Sequence, residues 1–225
     1  MLFGALGDIH GDFASLERVL RRHPEVSFWL SVGDIASDDG RYPTPAAPLY
    51  WIKGNNEDFD FVAACQAEPR AGTLQYLSNA VPATIEGVVV VGLGGTFAPT
   101  WYDRKADELP PSRRADRRDD KRRHFVHEEV TRCKALRGVD VFLSHEAPRP
   151  FLVTAGATSS RQVDAGKTPI NEILSAMAPR LHFFGHHHAF SEQVRQGVRS
   201  VGLDLVARSY VLVDAARFVC SRLET

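Results

Sequence analysis

The chain has 225 residues, of which 44% are hydrophobic and 24% are charged. These proportions are typical of a globular protein and exclude the disordered and fibrous classes. With 27 lysines and arginines against 28 aspartates and glutamates, the formal net charge is -1. No whole-molecule field therefore attracts nucleic acid or anionic lipid, and any basic site must be local. The length suits one large α/β domain, so we expect residues 1–225 to form a single domain.

The cysteines and the hydropathy pattern indicate the compartment. Cys65, Cys133 and Cys220 lie far apart and form no C-x-x-C pair, which favours buried thiols in a reducing cytosol. The N-terminal sequence MLFGALGDIHG has too few apolar residues for a secretory signal, and no window approaches the length of a membrane-spanning helix. We expect a soluble cytoplasmic protein without membrane contact. The sequence carries no signal for an oligomeric state.

Short β-rich apolar runs that end at glycine or polar residues predict buried strands. In chain order they are 2–6, 27–32, 49–52, 88–93, 139–143 and 181–184. Segments with helical spacing of apolar residues predict helices at 13–22, 58–67, 125–137 and 169–177. Toward the C-terminus, strands joined by short connections are predicted at 193–195, 199–203 and 210–213. This order predicts an α/β protein built as a two-sheet sandwich flanked by helices, rather than one parallel sheet.

Residues 103–124 differ in composition from the rest of the chain. They include nine lysines or arginines, six aspartates or glutamates and two prolines, with almost no apolar residue. We expect a solvated, charge-paired insertion at the surface. The alternative is a polyanion-binding surface formed by its basic clusters. These clusters are Arg113, Arg114, Arg117, Arg118 and residues 121–123.

Residues of the types that bind metals follow the ends of the predicted strands. Asp8 and His10 follow the first strand, where we expect an extended backbone to point both side chains the same way. Later strand ends are followed by Asp34, Asn55, His145, His186 and His188. Because residues beyond the carboxyl ends of strands converge on one edge of an α/β sheet, we expect these seven side chains to lie together.

The donor types predict the metals. Imidazole and carboxylate together suit Mn, Fe, Zn, Ni or Co, whereas an all-oxygen set would suit Mg or Ca. Seven ligands exceed the number that one tetrahedral ion uses, so we expect two divalent transition-metal ions, with Mn or Fe favoured. With two carboxylates and a bridging hydroxide present, one positive charge would remain to meet an anionic phosphate.

Five short motifs in fixed order resemble those of a known superfamily. They are GDIHG at 7–11, GD at 33–34, GNNE at 54–57, SH at 144–145 and GHHH at 185–188. Together they resemble the motif series of the calcineurin-like metallophosphoesterases. The resemblance implies the αββα sandwich of that superfamily. It also implies hydrolysis of a phosphate ester by a hydroxide that bridges two divalent metals and attacks phosphorus in line.

The same resemblance assigns four ligands to each metal, with Asp34 shared as the bridge. The first metal would be held by Asp8, His10, Asp34 and His188. The second would be held by Asp34, Asn55, His145 and His186.

A narrower likeness concerns VDVFLSHEAP at 139–148 and PRLHFFGHHH at 179–188, with the charged insertion upstream. Together with WIKGNNE at 51–57 and GLGG at 92–95, these stretches are similar to the catalytic domain of RNA lariat debranching enzymes. A phosphodiester, such as a nucleotide or an RNA, is the favoured substrate, and the sequence leaves a monoester, a cyclic nucleotide, a dinucleoside polyphosphate and a branched RNA open, because the same metal core serves all of them. Those enzymes often carry cysteine at the position of Asp8, and the aspartate here favours occupancy by two metals.

The chain departs from the family pattern at the position of the general acid. The family usually has a histidine, commonly assigned to phosphate contact or leaving-group protonation, where this chain has Asn56. His187 lies between two proposed ligands, so its side chain should point away from them, and it is a second candidate for the acid. Glu57 either orients a neighbouring ligand or caps the following helix.

Several other features receive a structural interpretation. AGKT at 165–168 resembles the tail of a phosphate-binding P-loop, but Arg161 stands where that motif needs glycine, so we reject the P-loop interpretation. Four histidines outside the motifs are expected to be structural: His23, His124, His127 and His182. The alternative function is a catalytically weak nucleic-acid- or protein-binding module on the same fold. The complete ligand set favours the enzyme.

Overall fold

The computed structural model describes residues 1–68, 72–112, 119–154 and 161–225. The strands are β1 (Leu2–Leu6), β2 (Val26–Ser31), β3 (Leu49–Trp51), β4 (Leu74–Tyr76), β5 (Ala83–Ile85), β6 (Val88–Leu93), β7 (Val141–Ser144), β8 (Leu152–Thr154), β9 (Gln162–Asp164), β10 (Leu181–Phe184), β11 (Ser191–Arg195), β12 (Val198–Gly202), β13 (Ser209–Asp214) and β14 (Val219–Glu224). The helices are α1 (Phe13–Arg22), α2 (Phe59–Ala67), α3 (Pro99–Tyr102), α4 (His127–Ala135) and α5 (Thr168–Met177). No helix in these ranges is both long and apolar enough to cross a membrane.

Most strands form two six-stranded sheets. The first has the order β14-β13-β1-β2-β3-β4, in which β1 to β4 are parallel. The second has the order β11-β12-β10-β7-β6-β5, in which β12, β10, β7 and β6 are parallel. The short pair β8 and β9 stands apart. Parallel strands end at the same edge of their sheet, so the loops after β1, β2 and β3 lie together, as do those after β7 and β10.

Apolar side chains pack in three layers. The two sheets face each other across a core that includes Phe3, Leu30, Val90, Val141 and Phe183. The outer face of the first sheet packs against α1 and α2, and the outer face of the second packs against α4 and α5. The predicted two-sheet sandwich flanked by helices is therefore confirmed.

Local sequence explains how the first strand and helix form. Asp12 caps α1 by accepting a hydrogen bond from the backbone N–H of Ser15 at 3.0 Å. Leu16 and its apolar neighbours one turn apart are buried against the sheet. In β1, Gly4 leaves room for the indole of Trp29, because any side chain there would collide with the ring.

The charged insertion is only partly solvated. Residues 103–108 are exposed, but Leu109 and Asp120 are buried. The ammonium of buried Lys53 donates to the backbone carbonyls of Arg122 at 2.7 Å and His124 at 3.2 Å. These contacts tie the C-terminal end of the insertion to the loop after β3. The arginines at 113, 114, 117 and 118 lie outside the described residues.

His182 is fully buried in β10 between the hydroxyls of two flanking strands. Its Nε2 lies 2.8 Å from Ser144 Oγ and its Nδ1 lies 3.0 Å from Ser200 Oγ. The Ser144 hydroxyl donates its one proton to the carbonyl of Glu146 at 2.6 Å, so it must accept from the Nε2–H of a neutral ring. Ser200 then donates to Nδ1. Burial lowers the pKa of His182 to about 3.

We expect His182 to make the protein less stable as the pH falls from 6.5 toward 3. Above pH 6.5 the ring is neutral in both states, and the stability is fully present. Below it the unfolded chain binds a proton that the folded chain refuses, which costs about 1.4 kcal/mol of unfolding free energy per pH unit. Urea unfolding of the metal-depleted protein between pH 7 and 5 measures this slope.

His182→Gln should reduce the slope by about 1.4 kcal/mol per pH unit, because the amide still donates to Ser144 but does not titrate, while His186 and His187 keep their own contributions. The matched control is His127→Gln, since His127 is exposed on α4. It should keep the wild-type slope. Equal slopes in His182→Gln and wild type would contradict the assignment.

Candidate metal centre

The seven proposed ligands lie in loops at the edge where five parallel strands end. Asp8 and His10 follow β1, Asp34 follows β2 and Asn55 follows β3 in the first sheet. The second sheet contributes His145 after β7, and both His186 and His188 after β10. The structure brings six of these side chains into two donor groups of three, and the Asn55 side chain lies against the second group.

The first donor group consists of Asp8, His10 and His188, whose donor atoms lie within 4.8 Å of one another. The Nε2 atom of His188 is 3.0 Å from Asp8 Oδ2 and 3.1 Å from the Nε2 atom of His10. Two imidazole nitrogens and a carboxylate oxygen thus face a common point. The hydrogen bond with Asp8 raises the pKa of His188, so this position favours positive charge.

The second donor group consists of Asp34, His145 and His186, also within 4.8 Å of one another. The Nδ1–H of His145 donates to the carbonyl of Val32 at 2.8 Å. This bond turns Nε2 toward the site, 3.0 Å from Asn55 Oδ1 and 3.6 Å from Asp34 Oδ2. Burial opposes protonation of His145, but the carboxylates of Asp34 and Asp8 outweigh it and raise the pKa.

Asp34 stands between the two donor groups. Its Oδ2 atom is 3.7 Å from His10 Nε2 on one side and 3.6 Å from His145 Nε2 on the other. Asn56 holds this carboxylate through two hydrogen bonds, from its backbone N–H to Oδ1 and from its side-chain amide to Oδ2, both at 2.8 Å. Burial would raise the pKa of Asp34, but His145, His10 and these bonds lower it. A side chain at Gly54 would collide with the carboxylate.

Four of the seven residues have left-handed backbone. The φ angles are 47° at His10, 52° at Asp34, 69° at His186 and 50° at His188. A left-handed backbone costs a non-glycine residue about 1–3 kcal/mol of conformational free energy. Residues with such strain cluster at functional sites. The extended backbone expected from Asp8 to His10 is therefore wrong. The chain instead turns at His10, whose N–H donates to the carbonyl of Asp34 at 2.7 Å and joins the two loops.

Glu57 is fully buried beneath the site. Its carboxylate accepts four hydrogen bonds, from the N–H groups of Ile35, Ala36 and Gly54 and from the hydroxyl of Tyr42. Asp58, not Glu57, caps α2. Glu57 thus binds the backbone next to Asp34 and Asn55, and the orienting role expected for it stays a prediction. Burial and the nearby Asp34 raise its pKa to about 7.

His187 contacts both Phe151 and the ring of the proposed ligand His186, whose centroid lies 4.9 Å from that of His187. Its ring stacks on Phe151, with centroids 4.7 Å apart and planes 28° apart. Its Nε2 atom is buried and has no hydrogen-bond partner within the described part of the chain. Burial and the charge of Lys167 lower the pKa of His187 to about 4.

The sequence interpretation missed several residues around the site. Tyr42 supports Glu57, and Glu146 and Lys167 form an ion pair beside His145. Glu146 directly follows His145, and Lys167 lies in AGKT, so adjacency and that rejected motif were the available signals. Tyr42 also lines a cavity of about 370 Å³ with Trp51 and Phe61. None of the proposed ligands lines that cavity.

The donor atoms fit divalent transition metals. Each group combines imidazole nitrogens with a carboxylate oxygen, the donor types that such ions accept. The nitrogens of His10 and His188 face each other, and Asp8 and Asp34 raise the pKa of His188 and His145, whereas burial lowers the pKa of His186 to about 3.

The fold and the paired donor groups define a metal-dependent phosphoesterase. The chain belongs to the calcineurin-like phosphoesterase family, whose family model matches residues 1–190. The match is to the broad family. The narrower likeness to lariat debranching enzymes stays a prediction.

Solved structures with low sequence identity share the fold. The protein TT1561 of Thermus thermophilus is 14% identical with a TM-score of 0.64, covering 99% of this chain and 98% of that one. GAP50, the anchor in the inner membrane complex of Plasmodium, is 10% identical with a TM-score of 0.56, covering 100% and 84%. A novel archaeal phosphodiesterase is 9% identical with a TM-score of 0.50, covering 100% of both chains. No curated protein sequence matches the chain.

Proposed function

We propose that this protein hydrolyses a phosphodiester with two divalent transition-metal ions, Mn or Fe being favoured over Zn, Ni and Co. The observation that carries the proposal is the position of Asp34 Oδ2, which lies 3.7 Å from His10 Nε2 in the first donor group and 3.6 Å from His145 Nε2 in its own group. A carboxylate in that position suits a bridge between two ions. Bound ions would activate a water molecule and neutralise the charge that develops on phosphorus.

The ligand assignment follows the two groups. Asp8, His10, Asp34 and His188 would hold the first ion. Asp34, Asn55, His145 and His186 would hold the second.

The other site residues have supporting roles. Glu57 fixes the loops that carry Asp34 and Asn55, and Asn56 orients the Asp34 carboxylate. An amide cannot donate a proton as a general acid at neutral pH, so Asn56 does not replace the family histidine in that role. His187 stacks on Phe151, and with a pKa lowered to about 4 its ring is neutral at pH 7 and has no acidic proton to give the leaving group. We therefore propose hydrolysis without a side-chain acid for the leaving group.

Two arguments favour a diester over a monoester. The single positive charge expected on the loaded centre balances a monoanionic diester. A structural neighbour is described as a phosphodiesterase. We further propose that the substrate is a nucleotide or an RNA and that the protein is cytoplasmic. Residues 1–225 would form one domain, with an insertion at 103–124.

A substrate panel tests the proposed function. Chelated protein is reconstituted separately with Mn, Fe, Zn, Ni and Mg, and assayed on phosphomonoesters, phosphodiesters and short RNAs. We expect turnover to return with transition metals, and aryl diesters to be the best small substrates. Salt-sensitive RNA binding without turnover under any metal would favour the catalytically weak binding module instead.

A further inference from the structure

Lys167 belongs to the AGKT segment at 165–168, which the proposed mechanism does not use. This segment runs beside the loop that carries His145. The N–H of Lys167 donates to the carbonyl of Ala147 at 2.9 Å. At Gly166 a Cβ atom would lie 2.5 Å from the carbonyl oxygen of Pro148, so only glycine permits this approach. The close packing brings Lys167 next to the metal-binding edge.

An ion pair with Glu146 positions the Lys167 ammonium. Its Nζ lies 3.8 Å from Glu146 Oε2, and the carboxylate is almost completely buried while the ammonium is 27% exposed. Glu146 Oε1 accepts from the N–H of Phe97 at 3.0 Å, whereas Oε2 has no hydrogen-bond partner among the described residues. Within those same residues the ammonium donates no hydrogen bond. Its three donors remain available to an anion from solvent.

The ion pair with Glu146 places the Lys167 ammonium beside the second donor group. Glu146, its ion-pair partner, directly follows His145.

The site also lacks the phosphate contact that the family pattern would supply. Asn56 stands where the family has a histidine commonly assigned to phosphate contact, and its side-chain amide is used by Asp34. We infer that Lys167 donates to a non-bridging phosphate oxygen of the substrate and is the substrate-binding cation of this site. The inference rests on the proposed function and deepens it. A purely structural Lys167–Glu146 pair would instead affect stability and leave phosphate affinity unchanged.

The test uses Mn-reconstituted wild type, Lys167→Ala, Lys167→Arg and the control Lys134→Ala. Lys134 also forms a lysine–glutamate pair, with Glu172 at 2.9 Å, but on the outer helices. The measurements are calorimetric affinity for inorganic phosphate, kcat and KM on an aryl phosphodiester, metal content and melting temperature. We expect Lys167→Ala to weaken phosphate binding and lower kcat/KM by roughly ten- to a hundredfold, the range of a hydrogen bond to a charged group. Metal content should stay at the wild-type value, the melting temperature should fall because the buried Glu146 loses its cation, and arginine should restore most of both the affinity and the melting temperature.

Three outcomes would overturn the inference. The first is a phosphate affinity in Lys167→Ala equal to that of wild type, and the second is a loss that Lys134→Ala reproduces. The third is the absence of measurable phosphate binding by the wild type. If no ester is hydrolysed by the wild type, the proposed function fails, but the difference in phosphate affinity between wild type and Lys167→Ala still decides the role of Lys167.

Discussion

Replacing Asp34 with alanine should abolish hydrolysis and reduce the occupancy of both metal positions. Its carboxylate is the one group that approaches His10 on one side and His145 on the other among the contacts described. Loss of the proposed bridge removes metal-based stabilisation of several kcal/mol, so turnover should fall by at least about a thousandfold. Elemental analysis and turnover after reconstitution with Mn measure both effects.

Asp39→Ala is the matched control for Asp34→Ala. Asp39 lies on the same loop, is exposed and pairs with Arg41 at 2.7 Å. Its replacement removes one negative charge, as Asp34→Ala does, but leaves both donor groups intact. That variant should bind metal and turn over substrate like the wild type. An Asp34→Ala protein that keeps two metals and near-normal turnover would show that the bridge is misassigned.

The wild-type enzyme should discriminate strongly by leaving group. A positioned acid is worth about a hundred- to ten-thousandfold for a poor alkoxide leaving group. Asn56 cannot supply that proton, and its amide already donates to Asp34. Aryl esters should therefore react far faster than alkyl esters, with a steep dependence of rate on leaving-group pKa. The measurement is a series of substituted aryl and alkyl diesters.

Asn56→His should flatten this dependence, provided that the ring reaches the leaving oxygen without displacing Asn55. The comparison includes His187→Ala, with His127→Ala as a control at an exposed histidine on α4. Neither alanine variant should change the slope. A shallow wild-type slope that becomes steep only in His187→Ala would assign the acid role to His187 and reject the claim about Asn56.

Strong local patterns made most of the fold predictable. Runs such as 2–6 and 88–93 are buried on both faces, and their continuous apolar sequence predicted the first and last residues that β1 and β6 have in the structure. Three-residue strands such as β4 and β5 are too short to give a periodic signal. β14 is an edge strand with mostly exposed residues, so its sequence lacks an apolar run. The αββα order followed from the elements that were recognised.

The donor residues were predictable because each follows a strand, and strand ends converge whatever the details of the loops. The backbone conformation of those loops was not predictable. The left-handed φ angles at His10 and His188 were not predicted, although histidine adopts this conformation more often than most non-glycine residues, because the angle depends on the path of the loop. Contacts between distant segments, such as Tyr42 with Glu57 and Lys167 with Glu146, depend on loop paths that no local pattern encodes.

The metal content of the reconstituted protein tests the paired metal centre most directly. The chain is stripped with a chelator, loaded with Mn or Fe, freed of loosely bound ions and analysed for metal per chain. Two donor groups that share Asp34 predict close to two ions per chain, since the proposed ligands exceed what one ion uses. No more than trace metal after reconstitution, or a single ion at saturation, would contradict a dinuclear phosphoesterase.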